Sequence, residues 1–95
     1  ATANFIAKAA NGICDDLLST VFASRGSDVL IAPAMNQRMW ATPANQRNID
    51  TLKNDGCHFI GPDAGPLACR ETGPGRMTKP EDIMNKISEL LLIRN

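Results

Sequence analysis

The chain has 95 residues, 43% of them hydrophobic, and its ten basic side chains balance ten acidic ones. That length holds one small domain, and the even charge without a long run of either sign excludes the electrostatic footprint of a nucleic-acid or anionic-membrane binder. No apolar stretch reaches the roughly 18 residues that span a bilayer, and the first residues lack the pattern of a signal peptide, so a soluble cytoplasmic chain is expected.

Residues 4 to 22 carry Ile6, Ala9, Ala10, Ile13, Leu17 and Val21 at three- and four-residue intervals, which predicts one amphipathic helix with Asn4 as its N-cap. Residues 28 to 32, "DVLIA", form a short apolar run ended by Pro33, as in a strand covered on both faces of a parallel sheet. Thr42-Pro43 opens a second helix and Asp55-Gly56 closes it, with Ile49 and Leu52 facing inward. Cys57-His58-Phe59-Ile60 reads as a second strand, and residues 61 to 77, rich in glycine and proline, as a long loop. From Thr78 the string "TKPE" supplies a capping box for a last helix whose apolar face is Ile83, Ile87, Leu90 and Leu91.

This alternation is that of an α/β protein, a parallel sheet with flanking helices. Two strands cannot complete such a sheet, and "ATAN" at the start is a capping sequence with no strand before it. A partial domain over residues 1 to 95 is therefore expected, with further βα units upstream.

Three cysteines, Cys14, Cys57 and Cys69, form an odd set without C-x-x-C spacing. Free thiols are expected, and no metal site: Cys57 and His58 are neighbours on an extended segment and point to opposite faces. Cys14 and Cys57 are assigned to packing.

The first strand runs into "PAMNQRMW" at residues 33 to 40, a mixture of two methionines, an asparagine, an arginine and the only tryptophan. Open α/β sheets bind ligands beyond the carboxyl ends of their strands, where this string lies. "ATAN" occupies the equivalent place one strand earlier, so both segments are expected to line one crevice. Small residues there let a flat ring approach the backbone, and Asn4 and Asn36 supply amides. Core filling by Met35, Met39 and Trp40 is the plainer alternative.

Three motifs together carry a family resemblance. "ATAN" is similar to P-A-S/T-A-N-T without its leading proline and with Phe5 in place of threonine, "PAMNQRMW" fits P-x-M-N-x-x-M-W, and "GPLACRETGPGRM" at residues 65 to 77 is similar to a substrate clamp. "NGICDDLL" and "TPANQRNI" agree as well. The chain thus resembles the C-terminal half of the homo-oligomeric flavin-containing cysteine decarboxylases, most of all those acting on 4'-phosphopantothenoylcysteine in coenzyme A biosynthesis.

The resemblance implies a Rossmann-like or flavodoxin-like flavoprotein with FMN, or FAD, held between subunits of a homotrimer or a dodecamer of trimers. It implies a phosphorylated cysteine conjugate as substrate, oxidised to a thioaldehyde, decarboxylated to an enethiolate and reduced again. On the matching positions it implies that Ala1, Thr2, Ala3, Asn4 and Met35 contact the flavin. Asn36 holds the substrate carboxylate, Met39 and Ala68 border the substrate, and Arg76 meets its phosphate. Cys69 is the implied proton donor, with Arg70 beside it to lower its pKa, although Arg70-Glu71 departs from the frequent Gly-Asp there. Trp40 braces the loop from behind. His58 does not match the family's catalytic histidine, which is expected upstream of Ala1, as a synthetase domain is expected after residue 95; the chain alone is then not a competent enzyme. Peptidyl-cysteine decarboxylases share the second motif but lack the clamp, and a non-catalytic regulatory flavoprotein is the alternative from another class.

Overall fold

The computed structural model describes residues 1–26, 28–66 and 72–94. The first helical stretch is two helices, α1 (Ala3–Ala10) and α2 (Leu17–Ala23), which corrects the single helix expected over residues 4 to 22. The break is local. Gly12 adopts a φ of 70°, and the amides of Gly12 and Ile13 turn back onto the carbonyls of Ala9 and Lys8 in a Schellman arrangement that ends α1. Asp16 then caps α2 through a reciprocal pair with Ser19. The cap of α1 is Thr2, whose hydroxyl accepts from the Phe5 amide, and not Asn4, which lies inside the first turn. Ile6 is buried as expected, but Ile13, Leu17 and Val21 are exposed because the break rotates them off the inner face.

Strand β1 (Leu30–Ile31) pairs in parallel with β2 (His58–Phe59), Leu30 opposite His58 and Ile31 opposite Phe59. The crossover between them holds a four-residue helix α3 (Gln37–Trp40) and α4 (Pro43–Asn54), capped by Thr42 with proline in its first turn. Asp55 and Gly56 end α4 where expected. Ile49 and Leu52 of α4 join Ile6, Phe22, Ile31 and Cys57 in the core, with Phe5 edge-on to Phe22 at 5.7 Å between ring centres. Full burial of an aliphatic side chain of this size stabilises by about 1.5–3 kcal/mol.

The segment read as a long loop contains an antiparallel hairpin, β3 (Asp63–Pro66) and β4 (Thr72–Arg76). Its register runs Asp63 to Arg76 and then Ala64 to Pro74, so Gly75 is an extra residue on β4, a bulge. The last helix, α5, runs Pro80–Arg94. Its first turn bonds to the Lys79 carbonyl, while the buried Thr78 donates its hydroxyl to Asp63 Oδ1 at 3.3 Å, so Thr78 does not form the expected capping box. Ile83 and Leu90 are half-buried, whereas Ile87 and Leu91 of the expected apolar face are exposed. Among the described residues no helix is long and apolar enough to cross a membrane.

Of the two cysteines assigned to packing, Cys57 is buried and Cys14 is not. Cys14 lies in the turn that the Gly12 break creates, outside any packed face. Burial pushes the Cys57 thiol up from its usual pKa, against the opposing pull of Arg25, whose Nη2 lies 3.8 Å from the sulfur. That thiol is a packing group, not a nucleophile.

Candidate functional site

Beyond the carboxyl end of β1 the chain turns at Pro33, which is fully buried, and two consecutive amides of the turn bind two distant segments. The Ala34 amide donates to the Ala1 carbonyl at 2.9 Å, and the Ala1 nitrogen donates to the Ala32 carbonyl, the bond pattern of a parallel ladder. The Met35 amide donates to the Gly75 carbonyl at 2.8 Å. Three stretches separated in sequence, residues 1–4, 33–40 and the described residues 72–77, are therefore joined at one pair of peptide groups.

Gly75 is required by that junction. Its φ is 139°, a conformation that side chains disfavour, and a Cβ there would overlap the Met35 carbonyl oxygen. The bulge lets the hairpin lie directly on the backbone of the turn.

Asn36 is the N-cap of α3. Its Oδ1 accepts from the Arg38 amide at 2.7 Å, which fixes the plane of the amide and leaves Oδ1 and Nδ2 with distinct surroundings. Behind it, Met35 and Trp40 are half-buried and pack on the core, so Trp40 braces the turn as expected. Met39 is exposed on α3. Asn45, in the first turn of α4, donates through Nδ2 to Met35 Sδ at 3.2 Å and to the Trp40 carbonyl at 3.3 Å, and Gln46 Nε2 reaches the same carbonyl at 2.6 Å.

The structure brings Ala1, Met35 and Asn36 together with Gly75 at the end of β4. Thr2 serves as a cap, Ala3 and Asn4 lie in the first turn of α1, with Asn4 exposed, and Arg76 is exposed at the last position of β4. Ala68, Cys69 and Arg70 lie outside the described residues. Sequence reasoning gave no role to Asn45, Gln46 or Gly75. Their signal was present in "TPANQRNI" and "GPGRM", but spacing alone does not show which backbone an amide or a glycine will meet.

A short parallel sheet whose first strand runs at its carboxyl end into a turn of small residues and a capping asparagine is an α/β unit of the kind that binds ligands beyond its strand ends. Residues 1–92 match the family described as Flavoprotein, and the chain belongs to that family, the flavin-containing cysteine decarboxylases. It is 51% identical over 89 residues to the coenzyme A biosynthesis bifunctional protein CoaBC of Bacillus subtilis, which covers 94% of this chain and 22% of that protein. It is 49% identical over 87 residues to a cysteine/cysteine sulfinic acid decarboxylase of an unknown prokaryotic organism, covering 92% and 24%. Among solved structures, a PPC decarboxylase mutant complexed with pantothenoylaminoethenethiol superposes with a TM-score of 0.93 at 31% identity, over 96% of this chain and 51% of that one. The FMN binding protein AtHal3 superposes with a TM-score of 0.83 at 33% identity, over 95% and 50%. The chain thus spans about half of the solved chains and under a quarter of the curated relatives.

Proposed function

We propose that this chain forms the substrate-facing half of an FMN-dependent decarboxylase acting on 4'-phosphopantothenoylcysteine, working in an oligomer of at least three subunits. The observation that carries the reading is the union of the three motif segments at the Ala34 and Met35 amides. It is supported by the likeness to a decarboxylase complexed with pantothenoylaminoethenethiol.

The residues present fit a flavin. Ala1, Ala32 and Ala34 offer only methyl groups, so a planar ring can lie against their backbone, while the Met35 side chain packs inward behind the turn. Bound FMN would supply the two-electron chemistry, accepting hydride from the carbon that bears sulfur and returning it after carbon dioxide has left.

The protein's part is binding, orientation and one proton. Asn36 Nδ2 donates to the substrate carboxylate without adding negative charge, and so holds the carbon–carbon bond that breaks. Cys69 gives a proton to the carbon that has lost carbon dioxide, turning the enethiolate into a thioaldehyde, which needs hydride to become the thiol product. Arg76, exposed at the end of β4, pairs with the phosphate, whose geometry a guanidinium matches. Met39 and Ala68 border the substrate, and Ala1, Thr2, Ala3, Asn4 and Met35 the flavin.

The test is to mix the flavin-loaded native polypeptide with phosphopantothenoylcysteine while following flavin absorbance and carbon dioxide release. Reversible bleaching with release of one carbon dioxide per product is expected. Asn36→Asp should raise KM by about tenfold or more, because it sets like charges together. Unchanged turnover in that variant removes Asn36 from the reaction. The 49% identity to a cysteine/cysteine sulfinic acid decarboxylase favours a second reading, in which the unconjugated amino acid is the substrate. Release from free cysteine but not from the conjugate would select it.

A further inference from the structure

Asn45 stands out because it is 5% exposed, belongs to no motif with an assigned role, and carries an Oδ1 that is buried without a hydrogen-bond partner among the described residues. A buried unsatisfied acceptor costs stability. An apolar side chain of similar size would avoid that cost, so the amide must be judged by its donors. Both are used on the crevice turn: one on Met35 Sδ at 3.2 Å, the other on the Trp40 carbonyl at 3.3 Å.

Those two atoms bracket Asn36. Helix α3 has four residues, too few to hold its own direction, and its N-cap is Asn36. The Trp40 amide donates to the Asn36 carbonyl at 2.9 Å, so a grip on the Trp40 carbonyl is passed through that one residue to Asn36. On the other side Asn36 follows Met35, whose thioether the same amide holds. Swapping the Asn45 amide end for end would bring Oδ1 against the Trp40 carbonyl, acceptor on acceptor, so the orientation is fixed.

We propose that Asn45 is a positioning residue: its two amide hydrogens, anchored on Met35 and Trp40, fix the aim of the Asn36 side chain at the substrate carboxylate, at the expense of a buried unpaired oxygen. The inference rests on the role of Asn36 given above, and it deepens that role by naming what holds the donor in place. Asn45 itself touches neither substrate nor flavin in this scheme.

The experiment compares Asn45→Ala and Asn45→Leu in the flavin-loaded native protein. Leucine nearly fills the same space and has no donors, so it keeps the protein folded if alanine does not. Three readouts are taken: KM and kcat for phosphopantothenoylcysteine, melting temperature, and acrylamide quenching of Trp40, the only tryptophan of these 95 residues, read as the difference from a Trp40→Phe blank. For the leucine variant the expected result is a KM raised about tenfold with a smaller change in kcat. The melting temperature should be unchanged or higher, since the orphan oxygen is gone, and Trp40 quenching should rise. Wild-type KM and quenching in Asn45→Leu would reduce Asn45 to packing and overturn the proposal. If the wild-type protein fails to turn over the conjugate, the substrate assignment falls. The grip of Asn45 on the turn is then decided by Trp40 quenching alone: increased quenching in the leucine variant upholds it, and wild-type quenching refutes it.

Discussion

At the turn after β1, the Ala34 and Met35 amides bind Ala1 and Gly75, and the Trp40 carbonyl takes two side-chain amides. On α2, by contrast, Leu17, Leu18 and Val21 are 81%, 60% and 57% exposed. Leu18 and Val21, with Phe5, Phe22 and Leu30, line an apolar groove of about 560 Å³ beside β1, which reaches Ala1 and Ala32 at the edge of the turn. The first region is held by many directional bonds from its own chain; the second presents apolar surface with little of this chain packed on it. Directional bonds fix the aim of a few atoms, whereas apolar burial sets how much free energy is available to hold them. A site can be aimed by a chain that leaves one of its own faces uncovered.

Removing the support on which both regions stand should have the largest effect. Leu52 is 1% exposed at the centre of the core, and Leu52→Ala should cost about 2–5 kcal/mol in denaturant unfolding. A loss below 1 kcal/mol would mean that α4 is not the platform of the turn. Next comes Gly75→Ala, which meets a disfavoured φ and the Met35 carbonyl together and should cost about 1–3 kcal/mol. Because the damage falls on the hairpin junction, proteolysis near residues 63–76 should rise while α1 and α4 stay protected. Uniform loosening would refute a local junction.

These elements also show what was legible in the sequence. Thr42-Pro43 and Asp55-Gly56 act within one helical turn of themselves, so the ends of α4 could be read directly. Asn11-Gly12 is a signal of the same kind, but Ile13, Leu17 and Val21 continue the spacing past it, and the periodicity outweighed the punctuation. The hairpin was hidden for another reason. "DAGP" and "TGPGR" have no alternation of apolar and polar residues, and their pairing is a match between two backbones that spacing cannot show. Likewise the meeting of Ala1 with the turn after β1 was legible, because it follows from two strand ends in one sheet, whereas what depends on a single contact was not, at Gly75 against Met35 and at Asn45 against Trp40.

A smaller effect is expected at the link between α1 and α2, where Lys8 Nζ lies 2.8 Å from both Asp15 and Asp16. The hydrogen bond from Lys8, then those from Ser19, hold the Asp16 carboxyl well below the usual carboxylate range, and both aspartates raise the Lys8 pKa. A lowered acid contributes stability that is present above its unfolded pKa of about 3.9 and lost as pH falls through the folded value. A raised lysine contributes stability present below its unfolded pKa of about 10.4 and lost as pH rises through the folded one. The tie therefore acts across neutral pH and weakens at both extremes. Asp16→Asn should make the acid limb of a plot of melting temperature against pH measurably shallower, and an unchanged limb would place the tie elsewhere. The aspartates are exposed and Lys8 is half-buried, so added salt should shrink the difference.

The smallest effect is expected on the bare flank, and it sharpens the contrast most. Glutamine has nearly the helix propensity of leucine, so Leu18→Gln isolates the apolar surface from the backbone. If the flank faces water, stability should stay within about 0.5 kcal/mol, as for substitutions on an ordinary surface. A loss above about 1 kcal/mol would mean that the groove is covered in the molecule measured. Its dependence on protein concentration would then distinguish a second copy, whose cover grows by mass action, from a segment of the same polypeptide, whose cover does not. In either case the Ala34 and Met35 bonds should survive the substitution, because they lie beyond the carboxyl end of β1 and do not draw on Leu18.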